Sequence, residues 1–385
     1  MVAIVALLAV AQTVPLGPVL PAGLSETFQR VVVGIEEKLE KGDFAGAKAD
    51  LRLLPKTTIR YEWDDTGVPA SEKPFYITAR DKALKTWAQA APSLKFVAAK
   101  PADLVFRFKK ELPPIEGQAY IPGAVQFWSD DPKDPRLETV IGLFRSGSFL
   151  PSVKTAPGVR SAADVSDIHN EVAYAVSSYL GLGETKLSGT FTSRYDPAGV
   201  GEVRLAPAEV RLFENTRDVV KTLTDAVVAK KKLRATKPKL VVEPLEVVLN
   251  DAVQGQDVRF SIQVNNLGNA PLYYRVQPDC GCLAASYDPV LPAGKSAIVQ
   301  GSVNTYDFLG SLKKRFFIYS NDLEEPYREV VVKIHVAPQY RFIMPEGPTI
   351  LMDDEAKTIY AYLIAAPGTK LNVKSYRLDG GVRPR

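Results

Sequence analysis

Val258-Arg259-Phe260-Ser261-Ile262-Gln263-Val264 alternates apolar and polar side chains at every step. A period of two is the signature of a strand with one face buried. Asn265-Asn266-Leu267-Gly268-Asn269 follows as a turn, and the same period returns in Leu272 to Val276, Ala297 to Val303, Lys314 to Tyr319 and Glu329 to Val336. Short strands punctuated by Pro, Gly and Asn over about 100 residues predict a β-sandwich, placed at residues 240–337. Residues 338–385 continue in the same style (349–352, 357–364, 371–376) and read as an added β segment or incomplete repeat.

Upstream, the period changes. Phe28, Val31, Val32, Ile35 and Leu39 recur at helical spacing, Lys41-Gly42-Asp43 signals a turn, and Phe44 to Leu54 resumes the helix. Residues 24–56 therefore read as a helical hairpin. A single hairpin cannot bury its own apolar face and must pack on the next domain. Residues 57–228 are mixed. Ile59 to Trp63, Phe75-Tyr76-Ile77, Ala102 to Phe108, Gly117 to Trp128 and Glu138 to Phe144 read as strands. Ala79 to Ala90, Ala163 to Leu182 and Ala206 to Thr224 read as helices, and Pro151 to Ser161 as a loop. Lys230, Lys231, Lys232 and Arg234, then Lys237-Pro238-Lys239, read as a solvated linker over residues 229–239. The expected fold class is α+β and multidomain: hairpin, α/β domain, sandwich.

The chain has 385 residues, a net charge of +4, two histidines and two cysteines. So small a charge argues against nucleic acid as a partner. Two histidines exclude a three-histidine metal centre. Two cysteines exclude a disulfide framework of several bridges. Val2 to Ala11 is an apolar run followed by a proline-rich stretch, with Ala9-Val10-Ala11 in the small-x-small spacing of a signal-peptidase site. It is shorter than the roughly 20 residues a bilayer span requires. Residues 1–23 are read as signal-like, which places the protein outside the cytoplasm.

The order of pieces from Ile59 to Leu223 resembles the matrixins, the matrix-metalloprotease branch of the metzincins. The pieces are the strand Ile59 to Trp63, the helix with Ala83 and Trp87, the strand Ala102-Asp103-Leu104-Val105-Phe106, the long helix ending Tyr179-Leu180-Gly181-Leu182-Gly183-Glu184, and the helix after Pro207-Ala208-Glu209. The resemblance implies a metzincin-like α/β domain and a zinc motif H-E-x-x-H-x-x-G-x-x-H. With Gly181 at the turn position, the ligand positions hold Tyr174, Ser178 and Glu184, and the general-base position holds Ala175. Neutral phenol and hydroxyl are poor zinc donors. His169 and Glu171 look like a remnant, but registering the motif on His169 puts Ala173 and Tyr179 at the other ligand positions. His169 reads as a helix-surface or capped histidine, and Glu171 as solvated. Asp130, Asp131 and Asp134 read as a surface turn with weak calcium potential.

Val264-Asn265-Asn266-Leu267-Gly268, Asp279-Cys280-Gly281-Cys282, Leu291-Pro292-Ala293-Gly294 and Tyr319-Ser320-Asn321-Asp322, in that order, resemble the Cys-Gly-Cys immunoglobulin-like domains of bacterial envelope proteins, related to Hydin-like domains. The resemblance implies an exported binding or architectural module. Cys280 and Cys282 are open to three readings: a structural pair, reduced or bridged; a redox pair; or a thin soft-metal site. His335 reads as an ordinary strand residue facing away from Ile334.

The expected function is that of an exported, noncatalytic binding or architectural protein with no cofactor, acting on protein, peptide or a cell-envelope polymer. One alternative is a matrixin-type metalloendopeptidase with an unorthodox site, which would need zinc. The other is a redox module through Cys280 and Cys282.

Overall fold

The computed structural model describes residues 14–110, 112, 123–146, 160–162, 165–185, 189–193, 203–343, 362–365 and 370. Residues 1–13 of the signal-like segment, most of the loop 151–161, and the strand expectations at 117–122, 349–352, 357–361 and 371–376 lie outside that set. The chain divides into two compact units, Met1–Lys237 and Pro238–Arg385.

The first unit opens with α1 (Glu26–Lys41) and α2 (Phe44–Asp50). Ser25 caps α1 by accepting from the Phe28 amide, and Gly42 ends it at φ +81°, a left-handed turn that favours glycine. The hairpin does not stand alone. Phe28, Val32, Ile35, Leu39 and Ala47 share one buried cluster with Val219, Leu223, Ala226 and Val227 of the last helix of the unit.

A five-stranded sheet follows, built from β1 (Thr58–Asp64), β2 (Lys95–Ala98), β3 (Leu104–Lys109), β4 (Ala124–Trp128) and β5 (Leu137–Gly142), with α3 (Lys73–Ala90) between β1 and β2. The order is β2-β1-β3-β5-β4. All pairings are parallel except β4 against β5 at one edge. β6 (Phe144–Ser146) and β7 (Arg160–Ala162) form a small antiparallel pair, and α4 (Val165–Tyr179) and α5 (Pro207–Val228) complete the unit. One sheet face, carrying Ile59, Leu104, Phe106, Leu137 and Ile141, is buried in a cluster with Ala79, Ala83 and Trp87 of α3 and Ile168, Val172 and Val176 of α4.

Phe75-Tyr76-Ile77, expected as a strand, lies in the first turn of α3. Pro74 occupies a first-turn position there, where its missing N–H costs nothing. Tyr76, Ala79, Ala83 and Trp87 then fall on one buried stripe, so helical periodicity overrides the local β preference of an aromatic and β-branched triplet. In the 229–239 run Lys230, Lys231, Lys232 and Arg234 are exposed, as a solvated charge run implies, but their neighbours are not. Leu233, Ala235 and Thr236 are buried. The Thr236 amide donates to Glu36 Oε2 at 2.9 Å, the Ala235 amide donates to Glu40 Oε2 at 3.2 Å, and Lys237 pairs with Glu37. Arg234 and Pro15 pair through their backbones, and the Gly17 amide donates to the Arg234 carbonyl. Acidic residues on α1 supply acceptors for this stretch, which a local reading of its charges does not reveal.

The second unit is a sandwich. One sheet runs β12 (Leu283–Ser286), β14 (Ser296–Asn304), β10 (Asp257–Asn266), β8 (Leu240–Glu243). The other runs β13 (Val290–Leu291), β11 (Leu272–Pro278), β15 (Gly310–Ser320), β16 (Tyr327–Ala337), β9 (Glu246–Val253). Phe260, Ile262, Val264, Val299 and Val303 of the first sheet and Phe316, Ile318, Val330, Val332 and Ile334 of the second form one buried core. β9 lies parallel to β16 at an edge; the other pairings are antiparallel. β17 (Tyr340–Ile343) and β18 (Tyr362–Ala365) make a separate antiparallel pair in the region expected to add β structure.

Candidate functional site

α4 carries the positions that the metalloprotease resemblance singles out. Its buried stripe is Ile168, Val172, Ala175, Val176 and Tyr179. The helix ends because Gly181 adopts φ +85°. The Leu182 amide returns to the Ser177 carbonyl at 3.0 Å, which is the bond pattern of a glycine-terminated helix.

Ala175 is fully buried and Ser178 nearly so. Tyr174 is half-buried, and Glu184 is exposed. Among the described residues, no three His, Cys, Asp or Glu side chains gather closely enough to hold a metal. The turn beyond α4 is closed by the chain's own N-terminal stretch. The Ser25 amide donates to the Gly181 carbonyl at 2.8 Å, the Gly183 amide donates to the Gly23 carbonyl at 2.7 Å, and Leu24 and Leu182 form a β-bridge. A Cβ added to Gly181 would sit 2.8 Å from the Phe28 ring, and one on Gly183 would sit 2.9 Å from the Leu24 carbonyl. Glycine is required here for close approach as well as for backbone angle.

His169 is 2% exposed, not on the helix surface as expected. Its ring stands edge-on to Phe191 at 5.7 Å, and Nδ1 lies 3.2 Å from Asn170 Oδ1. Phe191 also packs edge-on against Trp87, so the imidazole is drawn into an aromatic cluster that helical spacing alone could not disclose. Glu171, beside it, is half-buried. Tyr179, one position after Ser178, stacks on Trp128 at 6.3 Å and accepts from the Lys56 amide at 3.3 Å. Burial, and then the nearby Asp103 carboxylate, push its phenol above the ordinary tyrosine value.

Sequence reasoning missed two polar features of this unit. Asp103 is buried and accepts from Lys56 Nζ at 2.5 Å and from Arg60 through its backbone amide at 2.9 Å and its guanidinium at 3.1–3.2 Å. Burial acts to raise its pKa, but the bonds from Arg60 and Lys56 outweigh that and hold it below the usual aspartate value. The second feature is a row across the sheet. The register places Trp63, Phe106, Thr139 and Gln126 side by side. Trp63 Nε1, Thr139 Oγ1 and Gln126 Nε2 are buried without a hydrogen-bond partner, and each needs a water or ligand atom to complete its bonding. The Asp130 to Asp134 segment is a turn: Asp131 Oδ1 accepts from the Lys133 amide at 2.8 Å, and Asp134 pairs with Arg136 at 3.5 Å.

In the sandwich, Cys280 and Cys282 are joined by a disulfide with a Cα–Cα distance of 5.3 Å. The bridge lies between β11 and β12. Asn304 donates its amide to the Cys282 carbonyl at 2.9 Å, Leu283 donates to the Cys280 carbonyl at 3.3 Å, and Asp279 and Arg315 bond reciprocally at 3.1 Å. The remaining resembling blocks are structural. Asn266 is fully buried. Its Nδ2 donates to the carbonyls of Ala270 (2.8 Å) and Leu291 (3.0 Å), and its Oδ1 accepts from the amides of Lys239 (3.2 Å) and Gly268 (3.0 Å). Asp322 accepts from the Leu240 amide at 2.8 Å and from Glu324 at 3.0 Å. His335 lies on the outer face of β16, with Nδ1 3.1 Å from Ser311 Oγ.

Residues 241–335 match the family model described as "Protein of unknown function (DUF1573)". No curated protein matches the chain. Among solved structures, a protein of unknown function from Porphyromonas gingivalis W83 is similar at 20% identity and a TM-score of 0.24, over 26% of this chain and 48% of that one. The chain thus spans about half the length of that relative. The seventh PapD-like domain of human CEP192 is similar at 9% identity and a TM-score of 0.23, covering 26% of this chain and 87% of that domain. A chaperone–tip adhesion subunit complex from the Csu pili of Acinetobacter baumannii is similar at 8% identity and a TM-score of 0.21, over 26% of this chain and 57% of that one. Among the described residues, no helix is long and apolar enough to cross a membrane.

Proposed function

We propose that the protein is an extracytoplasmic, noncatalytic binding or architectural protein whose first unit is a matrixin-like domain without zinc chemistry. The observation that carries this reading is the packing at the end of α4. The positions that would present a base and a second ligand hold Ala175 and Ser178, both buried, and Gly181 and Gly183 are covered by Phe28 and the 23–25 backbone. A catalytic zinc needs strong donors and an open coordination position. The resemblance to matrixins is supported by the order of strand, helix, strand, long helix and closing helix over β1, α3, β3, α4 and α5. Placement outside the cytoplasm is supported by the apolar run at residues 2–11 and by the Cys280–Cys282 disulfide, since such bonds persist in oxidising compartments. The partner class is protein, peptide or cell-envelope polymer.

Metal analysis of the purified full chain tests the noncatalytic reading. The expected result is well below one zinc per chain and no casein cleavage. Casein cleavage that a chelator abolishes and Glu171→Ala removes overturns it.

A further inference from the structure

The sandwich holds its only two cysteines, and three observations bear on what their bridge is for. First, a cross-link stabilises by restricting the unfolded chain, and the gain grows with the loop it closes. The shortest loops therefore gain least. Cys280 and Cys282 are two positions apart, so their bond adds little as a staple. Second, the turn is held without the sulfurs. The Leu283 amide on the Cys280 carbonyl, the Asn304 amide on the Cys282 carbonyl and the reciprocal pair of Asp279 and Arg315 are all hydrogen bonds that use no sulfur atom. Third, the bridge is approachable. Both cysteines are half-buried, with one side against the core. Gly281 between them is exposed, and a Cβ built on it meets nothing within 4 Å.

We infer that Cys280 and Cys282 form a reversible thiol–disulfide exchange centre whose substrate is a reduced thiol. A thiolate of the substrate attacks one sulfur of the pair. A mixed disulfide forms, the Cys280–Cys282 bond breaks, and the displaced cysteine leaves as a thiolate that takes up a proton. A second substrate thiolate then attacks the substrate's sulfur in the mixed disulfide and frees the other cysteine, which is protonated in turn. Two electrons and two protons pass from the thiols to the pair, and the substrate leaves as a disulfide. The same steps in reverse reoxidise the pair. Arg315 on β15 bonds through its backbone amide to the carboxylate of Asp279, the residue before Cys280. This activity goes beyond the proposed function, whose noncatalytic reading concerns the zinc chemistry of the first unit.

The test uses the full chain. It is equilibrated with reduced glutathione in one arm and with a reduced thioredoxin-type dithiol protein in the other. Alkylated cysteines are counted by mass, and the sandwich is followed by its unfolding transition. Two thiols are expected to appear while that transition persists, and to disappear again on reoxidation. Reduction in both arms identifies small thiols as sufficient; reduction by the protein alone identifies a protein dithiol as the substrate. Cys282→Ser, given oxidised glutathione, is expected to trap about one equivalent of mixed disulfide on Cys280 as one glutathione thiol is released. The proposal is overturned if the thiols become reactive only when the sandwich unfolds, or if folded Cys282→Ser traps no glutathione from oxidised glutathione.

Discussion

In the first unit the buried polar side chains include the carboxyls of Glu36, Asp103 and Glu209; in the sandwich the same work of satisfying backbone groups falls to the neutral Asn266 and Thr305, with Asp322 as the buried carboxylate among the described residues. The carboxyls join distant pieces of chain: Glu36 reaches Thr236, and Asp103 reaches Lys56 and Arg60. Asn266 spans a turn and its neighbouring strand, and Thr305 accepts from the Gln256 amide at 3.0 Å while donating to the carbonyls of Val253 and Gln256. Amide and hydroxyl groups do not titrate in the working range, and the buried carboxyls with displaced pKa values, Glu36 and Asp103, both lie in the first unit.

The two carboxyls should act in opposite directions. Asp103 is held below its ordinary pKa, so its contribution is complete above about pH 4 and is lost as pH falls through its folded value. Glu36 is the reverse. Burial pushes it up to about 8, against the opposing bonds from Thr236. The folded state then holds a proton that the unfolded chain releases, so stability falls as pH rises from about 4.5 toward 8.

The contrast can be broken experimentally because all three tryptophans, Trp63, Trp87 and Trp128, lie in the first unit. Their fluorescence reports that unit alone. Asp103→Ala removes the acceptor of the Arg60 amide and of two partly exposed cations and should cost about 2.5 kcal/mol, read as an earlier tryptophan transition in urea at pH 7. An unmoved transition would remove Asp103 from the account. Asn266→Ala leaves two carbonyls and two amides without their partner and should cost about 2 kcal/mol. The loss should be equal at pH 5 and pH 8, and visible by circular dichroism with the tryptophan transition unchanged. Glu36→Gln keeps a neutral side chain beside Thr236 and should raise the melting temperature by a few degrees at pH 8.5. At pH 4.5 it should change little; a gain there as large as at pH 8.5 would contradict the raised pKa.

The sequence announced what depends on local periodicity. The alternation at 258–264 lies within β10, and the helical stripe from Val165 lies along α4. It concealed whatever depends on pairing across long separations. Nothing local marks residues 15–17 as backbone partners of Arg234, or Glu36 as the acceptor for an amide two hundred positions away. His169 illustrates the same limit: its spacing is compatible with either helix face, and its burial against Phe191, itself packed on Trp87, is set by residues far away in sequence. In the sandwich, the resembling blocks around Asn266 and Asp322 were legible as a pattern, but their role in holding turns emerged only from the hydrogen bonds they make. The row of Trp63, Thr139 and Gln126 was illegible because it is defined by register between strands.

Gly17 stands against Glu36 so closely that a Cβ there would lie 2.0 Å from the Glu36 carboxyl oxygen, and its amide is one of the bonds that tie the 234 segment down. A chain severed just after this glycine would admit water to the carboxyl. With less burial Glu36 would hold its proton less tightly, and once ionised it would add a negative charge beside Glu37 and Glu40. Proteolytic trimming at residue 17 would in this way be recorded two hundred positions downstream, as a loosening of the chain that leads into the second unit.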